Sequence, residues 1–365
     1  MRGYAAIVMI GLGTLALVTA ASAPACQGDA VASPAAETKK PVKVFILAGQ
    51  SNMQGQALLR TLDHLGKDPQ YGYLLKKLKA PDGSYIVRDD VWIYYDRGKG
   101  AVKKGPLTAG YGVSDNHLGP EWMFGQIMGD QYDNQVLLVK TAWGGQSLAV
   151  DFRPPSAGAL PLATYPEAAR AKLEARIKDG TLTPGHRYRE MIETVRKVLG
   201  NLKAEFPPYQ DQGYEVAGFV WFQGWNDMIN AEFTAEYEKD MVALIKDLRK
   251  DLNAPNLPVV IAVMGVDGKM KASEKILTFR KAQTAAGERP EFKGNVACVQ
   301  TADYWDDEAA GLVEKFWIKR KWVNEEAQKK FDAMGCQPPY HYLGSAKILS
   351  LIGYGCAEAM KTMGK

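Results

Sequence analysis

Five apolar runs, separated by stretches of helical periodicity, constrain the fold of this 365-residue chain more than any other feature. They occupy residues 42–49, 134–145, 215–227, 257–265 and, more weakly, 294–305. The runs are nearly continuous rather than alternating, which is the pattern that strands buried on both faces require. They predict about five parallel strands at the centre of the fold.

Helical periodicity is clearest in residues 186–206, 234–252 and 344–363, where apolar residues recur at three- and four-residue spacing. Strands that alternate with such helices predict an α/β fold, a three-layer α/β/α sandwich. Residues 56–118 and 151–185 interrupt this rhythm and are rich in loop-forming residues. Long loops in a compact domain are often functional. Because we find no internal repeat and no second core, we expect one domain over residues 42–365.

The composition limits the choice of partner. The formal charge is +4 without any long basic run, so nucleic acid is not predicted as a partner. The four histidines and four cysteines show no metal-ligand spacing, so no metal site is predicted.

Residues 1–25 have the three-part pattern of a secretory signal peptide, with Arg2, an apolar stretch and then small residues. Residues 21–23 fit a cleavage site, and cleavage before Cys26, which would leave a lipid-modifiable cysteine, is the alternative. The apolar stretch is shorter than the roughly 20 residues needed to span a bilayer, so stable membrane insertion is disfavoured. Residues 26–41 are typical of a flexible linker. We expect an exported protein, periplasmic or extracellular.

Ser51, in the turn after the first apolar run, is the first candidate for chemistry. A turn between a strand and a helix N-terminus exposes the hydroxyl and points free N–H groups towards the same spot. Such a hydroxyl needs a base to take its proton and donors to stabilise an oxyanion. His341, just before the last helical stretch, is the candidate base. On local sequence alone, a capping serine and a packed histidine are the simpler interpretations.

Two later turns contain candidate donors. Gln223 and Asn226 carry side-chain amides on either side of Gly224, and an amide can stabilise an oxyanion. The alternative is a turn that caps the following helix. Gly144 and Gly145 could offer a backbone N–H group, or could simply turn the chain.

Several blocks occur in a characteristic order: AGQSNMQG (48–55), LGPE (118–121), KTAWGGQSL (140–148), WFQGWND (221–227) and a histidine before the last helix. Over residues 42–362 the chain thereby resembles the SGNH hydrolases, in particular the sialate O-acetylesterase-like and carbohydrate acetylesterase branch. The resemblance implies a flavodoxin-like fold and a serine esterase that removes O-acetyl groups from carbohydrates without a cofactor.

The resemblance also implies roles for individual residues. Ser51 would be the nucleophile and His341 the base. The oxyanion donors would be the backbone N–H of Ser51, a glycine of the second block and a side-chain amide of the third: Gly144 or Gly145, and Gln223 in preference to Asn226. Four further residues adjoin the blocks and are candidates for substrate contacts: Gln50, Trp143, Trp225 and Tyr340.

Two positions depart from the family pattern. Pro338 stands where the family usually has an Asp three residues before the histidine, and Trp225 replaces the usual Glu after Gln-Gly. Three explanations for the missing carboxylate stay open. An acid from elsewhere, such as Asp303 or Glu121, could orient the imidazole, a backbone carbonyl could do so, or the protein could be a weakened relative.

The predicted function is an exported serine esterase that acts on acetylated carbohydrates. A non-catalytic carbohydrate-binding relative is the first alternative, because of Pro338. A short-chain lipase- or thioesterase-like member of the superfamily is the second, and it would need a long apolar acyl channel.

Overall fold

A central seven-stranded sheet organises the computed structural model, which describes residues 40–98, 100–337 and 339–363. In chain order the strands are β1 (Val42–Gly49), β2 (Ala57–Leu58), β3 (Arg88–Asp96), β4 (Val102–Leu107), β5 (His117–Leu118), β6 (Val136–Ala142), β7 (Tyr214–Phe222), β8 (Val259–Val263), β9 (Val296–Gln300), β10 (Trp317–Ile318) and β11 (Lys321–Trp322). The large sheet runs β4-β3-β6-β1-β7-β8-β9, while β2 pairs with β5 and β10 with β11. Its neighbouring strands are parallel except for the antiparallel edge pair β3–β4.

Helices cover both faces of this sheet. They are α1 (Ser51–Gln54), α2 (Glu121–Gln131), α3 (Glu167–Lys178), α4 (His186–Gly200), α5 (Leu202–Glu205), α6 (Trp225–Met228), α7 (Ala231–Asp251), α8 (Glu274–Gly287), α9 (Asp307–Phe316), α10 (Glu325–Asp332) and α11 (Ala346–Met363). α2 packs against α11 in one layer, and α7 packs against α8 in the other. Tyr188 of α4 donates a hydrogen bond to Asp251 of α7, which adds α4 to the second layer.

The predicted three-layer α/β/α sandwich is confirmed. The five apolar runs form β1, β6, β7, β8 and β9, and among themselves these strands lie in the order 2-1-3-4-5. That is the flavodoxin-like order implied by the resemblance.

The sheet is wider than the five strands predicted from the sequence. β3 and β4 lie within residues 56–118, which the sequence presented as loop-rich, and α3 lies within 151–185. β3 begins with the exposed pair Asp89 and Asp90 and becomes continuously buried only from Val91. β4 is an edge strand with alternating burial, so neither strand shows a long apolar run.

The predicted signal peptide (1–25) and nearly all of the predicted linker (26–41) lie outside the described residues. Residues Lys39–Lys365 form one compact unit. Among the helices that the structure describes, none is long and apolar enough to cross a membrane.

A fully buried ion pair joins β6 to the start of α2. The Nζ atom of Lys140 lies 2.8 Å from Oε2 of Glu121, and neither side chain is exposed to solvent. The same Nζ donates to the carbonyl oxygens of Tyr111 (2.7 Å) and Gln54 (3.0 Å) and lies 4.4 Å from the centre of the Tyr95 ring. Burial lowers the pKa of Lys140, and the Glu121 carboxylate opposes that effect. One ammonium group therefore connects the ends of α1, α2 and β6.

We expect the substitution Lys140→Met to lower the free energy of unfolding by about 3–5 kcal/mol, because it leaves the Glu121 carboxylate buried without a cation. Urea denaturation measures the change. The double variant K140M/E121Q removes both charges and is expected to recover most of the loss. Lys203→Met breaks an exposed pair with Asp211 and is the control, with an expected change of at most about 0.5 kcal/mol. If Lys140→Met were as stable as this control, the buried pair of Lys140 and Glu121 would not have the stabilising role assigned to it.

Candidate active site

The motif blocks meet because three adjacent strands end at the same edge of the sheet. β1 lies between β6 and β7, and all three are parallel. In open α/β sheets, ligands bind outside the carboxyl ends of the strands, where the strand order reverses. β1 stands at that reversal, and Ser51 lies two residues beyond its last residue, Gly49.

Gly49 allows the end of β1 to approach the end of β7. A Cβ atom at position 49 would lie 2.1 Å from the carbonyl oxygen of Phe222, which is closer than any real contact. The chain then turns at Gln50, and α1 begins at Ser51. Ser51 keeps 8% of its surface exposed. The local sequence thus fixes this serine at the sheet edge.

Ser51 and His341 line the same cleft, whose volume is about 310 Å³. Its lining residues come from the turns after β1, β6 and β7 and from the His341 loop: Gln50, Ser51, Gln54, Gln56, Gly144, Gly145, Trp225, Asn226, Tyr340 and His341. A Cβ atom at Gly144 would lie 3.9 Å from the Cβ of Ser51, so the second block directly faces the serine. The cleft volume falls within the ~300–1,000 Å³ of small-molecule sites.

The loop that carries His341 has an unusual backbone. Tyr342 and Leu343 follow the histidine with φ of +52° and +60°, in the left-handed region that side chains rarely adopt. Both side chains are fully buried. The Tyr342 hydroxyl accepts a hydrogen bond from the N–H of Gly265 and bonds the Thr301 hydroxyl, each at 2.7 Å. Such backbone strain persists only where surrounding contacts enforce it, so the position of His341 is firmly held.

The imidazole of His341 is bonded on one side only. Its Nδ1 atom bonds Oε1 of Gln337, and within the described residues Nε2 makes no hydrogen bond, to Ser51 or to any other group. Burial lowers the pKa of His341 to about 4, because it disfavours the imidazolium form. The histidine is therefore neutral at neutral pH. With the Nδ1 proton donated to Gln337, Nε2 presents a free lone pair.

Neither acid proposed from the sequence contacts this imidazole. Glu121 accepts hydrogen bonds from Lys140 and from the N–H of Gly119 (2.9 Å), away from the cleft. Asp303 pairs with Lys269 at 2.8 Å on the surface. The acceptor at Nδ1 is the amide oxygen of Gln337, a group that was not among the three explanations considered from the sequence.

Gln50 and Gln223 form a buried clamp between the first and third blocks. Oε1 of Gln50 accepts from Nε2 of Gln223 (3.2 Å) and from the N–H of Gly224 (3.1 Å). The same Nε2 of Gln223 also donates to the Gln146 carbonyl (3.0 Å) and bonds the Asp227 carboxylate. Its two hydrogens already face three acceptors, and Gln223 does not line the cleft. Its amide is therefore not available to a ligand.

Asn226 is the third-block amide that reaches the cleft. Its Oδ1 accepts from Gln50 (3.1 Å), and its Nδ2 donates to the Gly145 carbonyl at 2.9 Å. These bonds fix the orientation of the amide and use one of its two N–H hydrogens. The other hydrogen can be donated to a ligand beside Ser51.

Asp227 ties the second block to the third. This fully buried carboxylate accepts from the N–H of Leu148 (2.9 Å) and of Ala149 (2.9 Å). Burial raises the pKa of Asp227 to about 7, and the N–H donors oppose that effect because they favour the ionised form. Asp227 thus holds the backbone at the end of the second block.

The four residues proposed for substrate contacts separate into two groups. Gln50, Trp225 and Tyr340 line the cleft, although Gln50 also forms the clamp with Gln223. The rings of Trp225 and Tyr340 lie 5.7 Å apart. Trp143 is only 3% exposed and is covered by the Arg187 guanidinium, 4.8 Å from its ring, so it belongs to the wall behind the cleft.

Three glutamines near Ser51 and His341 were not predicted as site residues from the sequence: Gln54, Gln56 and Gln337. The first two lie in or just after the AGQSNMQG block, so their proximity to Ser51 gave a signal. Gln337 lies four residues before His341, and nothing in the loop sequence distinguishes it as a partner of the ring. In the described part of the chain, no group of three His, Cys, Asp or Glu side chains is placed to hold a metal ion.

The chain matches a known protein family over most of its length. The model of a family described as carbohydrate esterase, sialic acid-specific acetylesterase matches residues 41–310. A probable carbohydrate esterase from Arabidopsis thaliana is 36% identical over 56 residues, which are 15% of this chain. The aligned stretch covers only 22% of the length of that relative.

Three solved structures are similar at low sequence identity. An Arabidopsis thaliana protein has 18% identity and a TM-score of 0.45, covering 83% of this chain and 98% of its own. NanS has 12% identity and a TM-score of 0.48, covering 89% and 98%. A carbohydrate acetylesterase from Xanthomonas citri has 11% identity and a TM-score of 0.41, covering 70% and 49%.

The family match includes the four blocks from AGQSNMQG to WFQGWND and ends before the His341 loop. It confirms the family that these blocks predict: the chain belongs to the carbohydrate esterase, sialic acid-specific acetylesterase family.

Proposed function

We propose that the protein is a serine esterase that releases acetyl groups from carbohydrate hydroxyls, with Ser51 as nucleophile and His341 as base. The observation that carries the proposal is that Ser51, His341, Gly145 and Asn226 line one cleft at the carboxyl edge of the sheet. A hydroxyl, a neutral imidazole and N–H donors at one spot are what acyl transfer through a serine requires.

In the proposed first step, Nε2 of His341 takes the proton of the Ser51 hydroxyl as the oxygen attacks the acetyl carbonyl. The carbonyl π electrons move to oxygen, giving a tetrahedral oxyanion. The backbone N–H of Ser51, the N–H of Gly145 and Nδ2 of Asn226 are the proposed donors to that oxygen. Asn226 replaces Gln223, the donor preferred from the sequence, because the Gln223 amide is occupied by other acceptors.

The intermediate then collapses. The bond between the acetyl carbon and the sugar oxygen breaks, and the His341 imidazolium gives its proton to that oxygen. The same imidazole activates a water molecule that hydrolyses the acetyl-enzyme and frees Ser51. Gln337 takes the place of the usual acid by accepting a hydrogen bond from Nδ1, which fixes the tautomer. Being neutral, it stabilises the imidazolium less than a carboxylate would.

Export belongs to the same proposal. Its support is the signal-peptide pattern of residues 1–25 and the cleavage-site residues 21–23. The alternative cleavage before Cys26 would give a lipid-anchored form at the cell surface. Mass determination of the mature N-terminus distinguishes the two.

We expect Ser51→Ala to lower kcat/KM for an aryl acetate or an acetylated sugar by at least about a thousandfold, because the nucleophile is lost. Release of acetate is the measurement. Ser84→Ala, an exposed serine in a remote turn, is the matched control and should retain full activity. A fluorophosphonate should label the wild type at Ser51. A wild type that binds glycans but takes up no label would support the non-catalytic alternative instead.

The depressed pKa of His341 predicts the pH dependence of the reaction. Because only the neutral imidazole can accept the serine proton, kcat/KM should be constant from neutral pH down to about pH 5 and fall below about pH 4. In Gln337→Glu a carboxylate beside Nδ1 favours the imidazolium form of His341. The pH below which kcat/KM falls should therefore rise by about 1–3 units. If the pH dependence of kcat/KM were unchanged in that variant, with the fold intact by circular dichroism, contact between Gln337 and the catalytic imidazole would be excluded.

Asn226→Ala should lower kcat on the order of 10²–10³-fold with little change in KM, because its amide acts on the transition-state charge. Gln223→Ala, by contrast, removes a buried clamp and should lower the free energy of unfolding by about 1–3 kcal/mol. Steady-state kinetics and urea denaturation of both variants separate the roles. If Gln223→Ala retains wild-type stability, or Asn226→Ala retains wild-type kcat, the assignment of the donor is wrong.

A further inference from the structure

The lining of the cleft carries no formal charge. Of the ten residues that form it, four carry side-chain amides, two are glycines and two are aromatic, and the other two are Ser51 and His341, which is neutral at neutral pH. Among the described residues, no Lys, Arg, Asp or Glu side chain lines this cleft. A ligand would meet dipoles and ring faces there rather than ions.

The cations just behind the lining are already paired. Lys140 is neutralised by Glu121 and faces the Gln54 carbonyl from the interior. Arg187 forms an ion pair with Glu190, and its Nε donates to the Gln146 side chain. Neither the Arg187 guanidinium nor the Lys140 ammonium group lines the cleft.

A buried carboxyl group behind the cleft offers an anion no attraction either. Asp227 lies behind the Gln223 amide and is bonded by N–H groups rather than by a cation. A substrate carboxylate in the cleft would lose its water without gaining an ionic partner. Desolvating a charge without such a partner is strongly unfavourable.

The same lining suits an uncharged sugar. Gln54 and Gln56 form a hydrogen-bonded pair at 3.3 Å on the rim, and their amides can both donate to and accept from hydroxyl groups. In the same cleft, Tyr340 is 40% exposed beside Trp225. The C–H face of a pyranose ring is apolar and packs well on such aromatic faces.

Resting on the proposed function, we propose that this cleft takes acetyl esters of uncharged sugars and discriminates against sugars that carry a carboxylate near the ester. The family description refers to sialic acid, which is a sugar acid. The inference is thus that this chain uses the family's site for a neutral carbohydrate.

Three matched substrates test the inference: an O-acetylated methyl glucoside, the corresponding glucuronide, and the methyl ester of that glucuronide. We expect kcat/KM for the glucuronide to be about 10- to 100-fold below that for the glucoside, as an unpaired desolvated charge implies. The methyl ester, which restores neutrality with similar size, should return to within about threefold of the glucoside. A glucuronide that reacts as fast as the glucoside, or faster, overturns the inference.

The salt dependence gives an independent result. If a cation attracted the glucuronide, its KM would rise between about 0.02 M and about 0.5 M salt as the attraction is screened. We expect no such rise. If the wild type released acetate from none of the three substrates and Ser51 took up no fluorophosphonate, the proposed function would fail. If Ser51 were labelled but the glucuronide preferred, only the present inference would fail.

A cation introduced on the rim of the cleft should shift the substrate preference towards the glucuronide. Gln56→Lys places a cation on the rim and should raise the ratio of kcat/KM for glucuronide over glucoside by about tenfold. Gln56→Met is the matched control, since it has a similar length but no charge, and it should leave the ratio unchanged. An equal ratio in the two variants would show that charge at this rim does not govern selection.

Discussion

A single buried ammonium group underlies the geometry of this edge of the sheet. Lys140 is fully desolvated, and it is tolerated only because Glu121, two carbonyl oxygens and an aromatic ring face together replace its lost water. Through these contacts it fixes the end of the helix that begins at Ser51 and the start of α2 relative to β6. The buried Lys140–Glu121 pair thus lies behind the cleft, where it holds the backbone in place. Among the described residues, no charged side chain lines the cleft itself.

The other blocks are held by polar contacts of a different kind. Gln50 and Gln223 join the turns after β1 and β7, and Asp227 joins the third block to the turn after β6. Several polar residues of the motifs therefore position the site rather than face a ligand. A site assembled from three separate turns needs such cross-links, because a small displacement of one turn misaligns the nucleophile and its donors. Strain at Tyr342 and Leu343 indicates that the histidine loop is fixed in the same manner.

The sequence predicted what depends on local pattern and on motif order. Continuous apolar runs located five of the seven sheet strands, and their flavodoxin-like order followed from the family resemblance. β3 and β4 were missed, because one begins with charged residues and the other is an edge strand with alternating burial. At the site, the sequence indicated which turns would meet, but it could not show which of two neighbouring amides turns outward. Both Gln223 and Asn226 carry a side-chain amide, and only their tertiary hydrogen-bond partners show which of the two faces the cleft. The partner of His341 was equally inaccessible, because Gln337 has no charge to mark it as a substitute for an acid.

The most direct test of the account is a crystal structure of the protein after reaction with a fluorophosphonate, whose tetrahedral phosphorus mimics the tetrahedral intermediate of acyl transfer. The account predicts phosphorus bonded to Ser51 Oγ and one phosphoryl oxygen within about 3 Å of the N–H of Gly145 and of Nδ2 of Asn226. Nε2 of His341 should lie within hydrogen-bond distance of Oγ. An adduct on another residue, or a phosphoryl oxygen that points to solvent away from both donors, would contradict it.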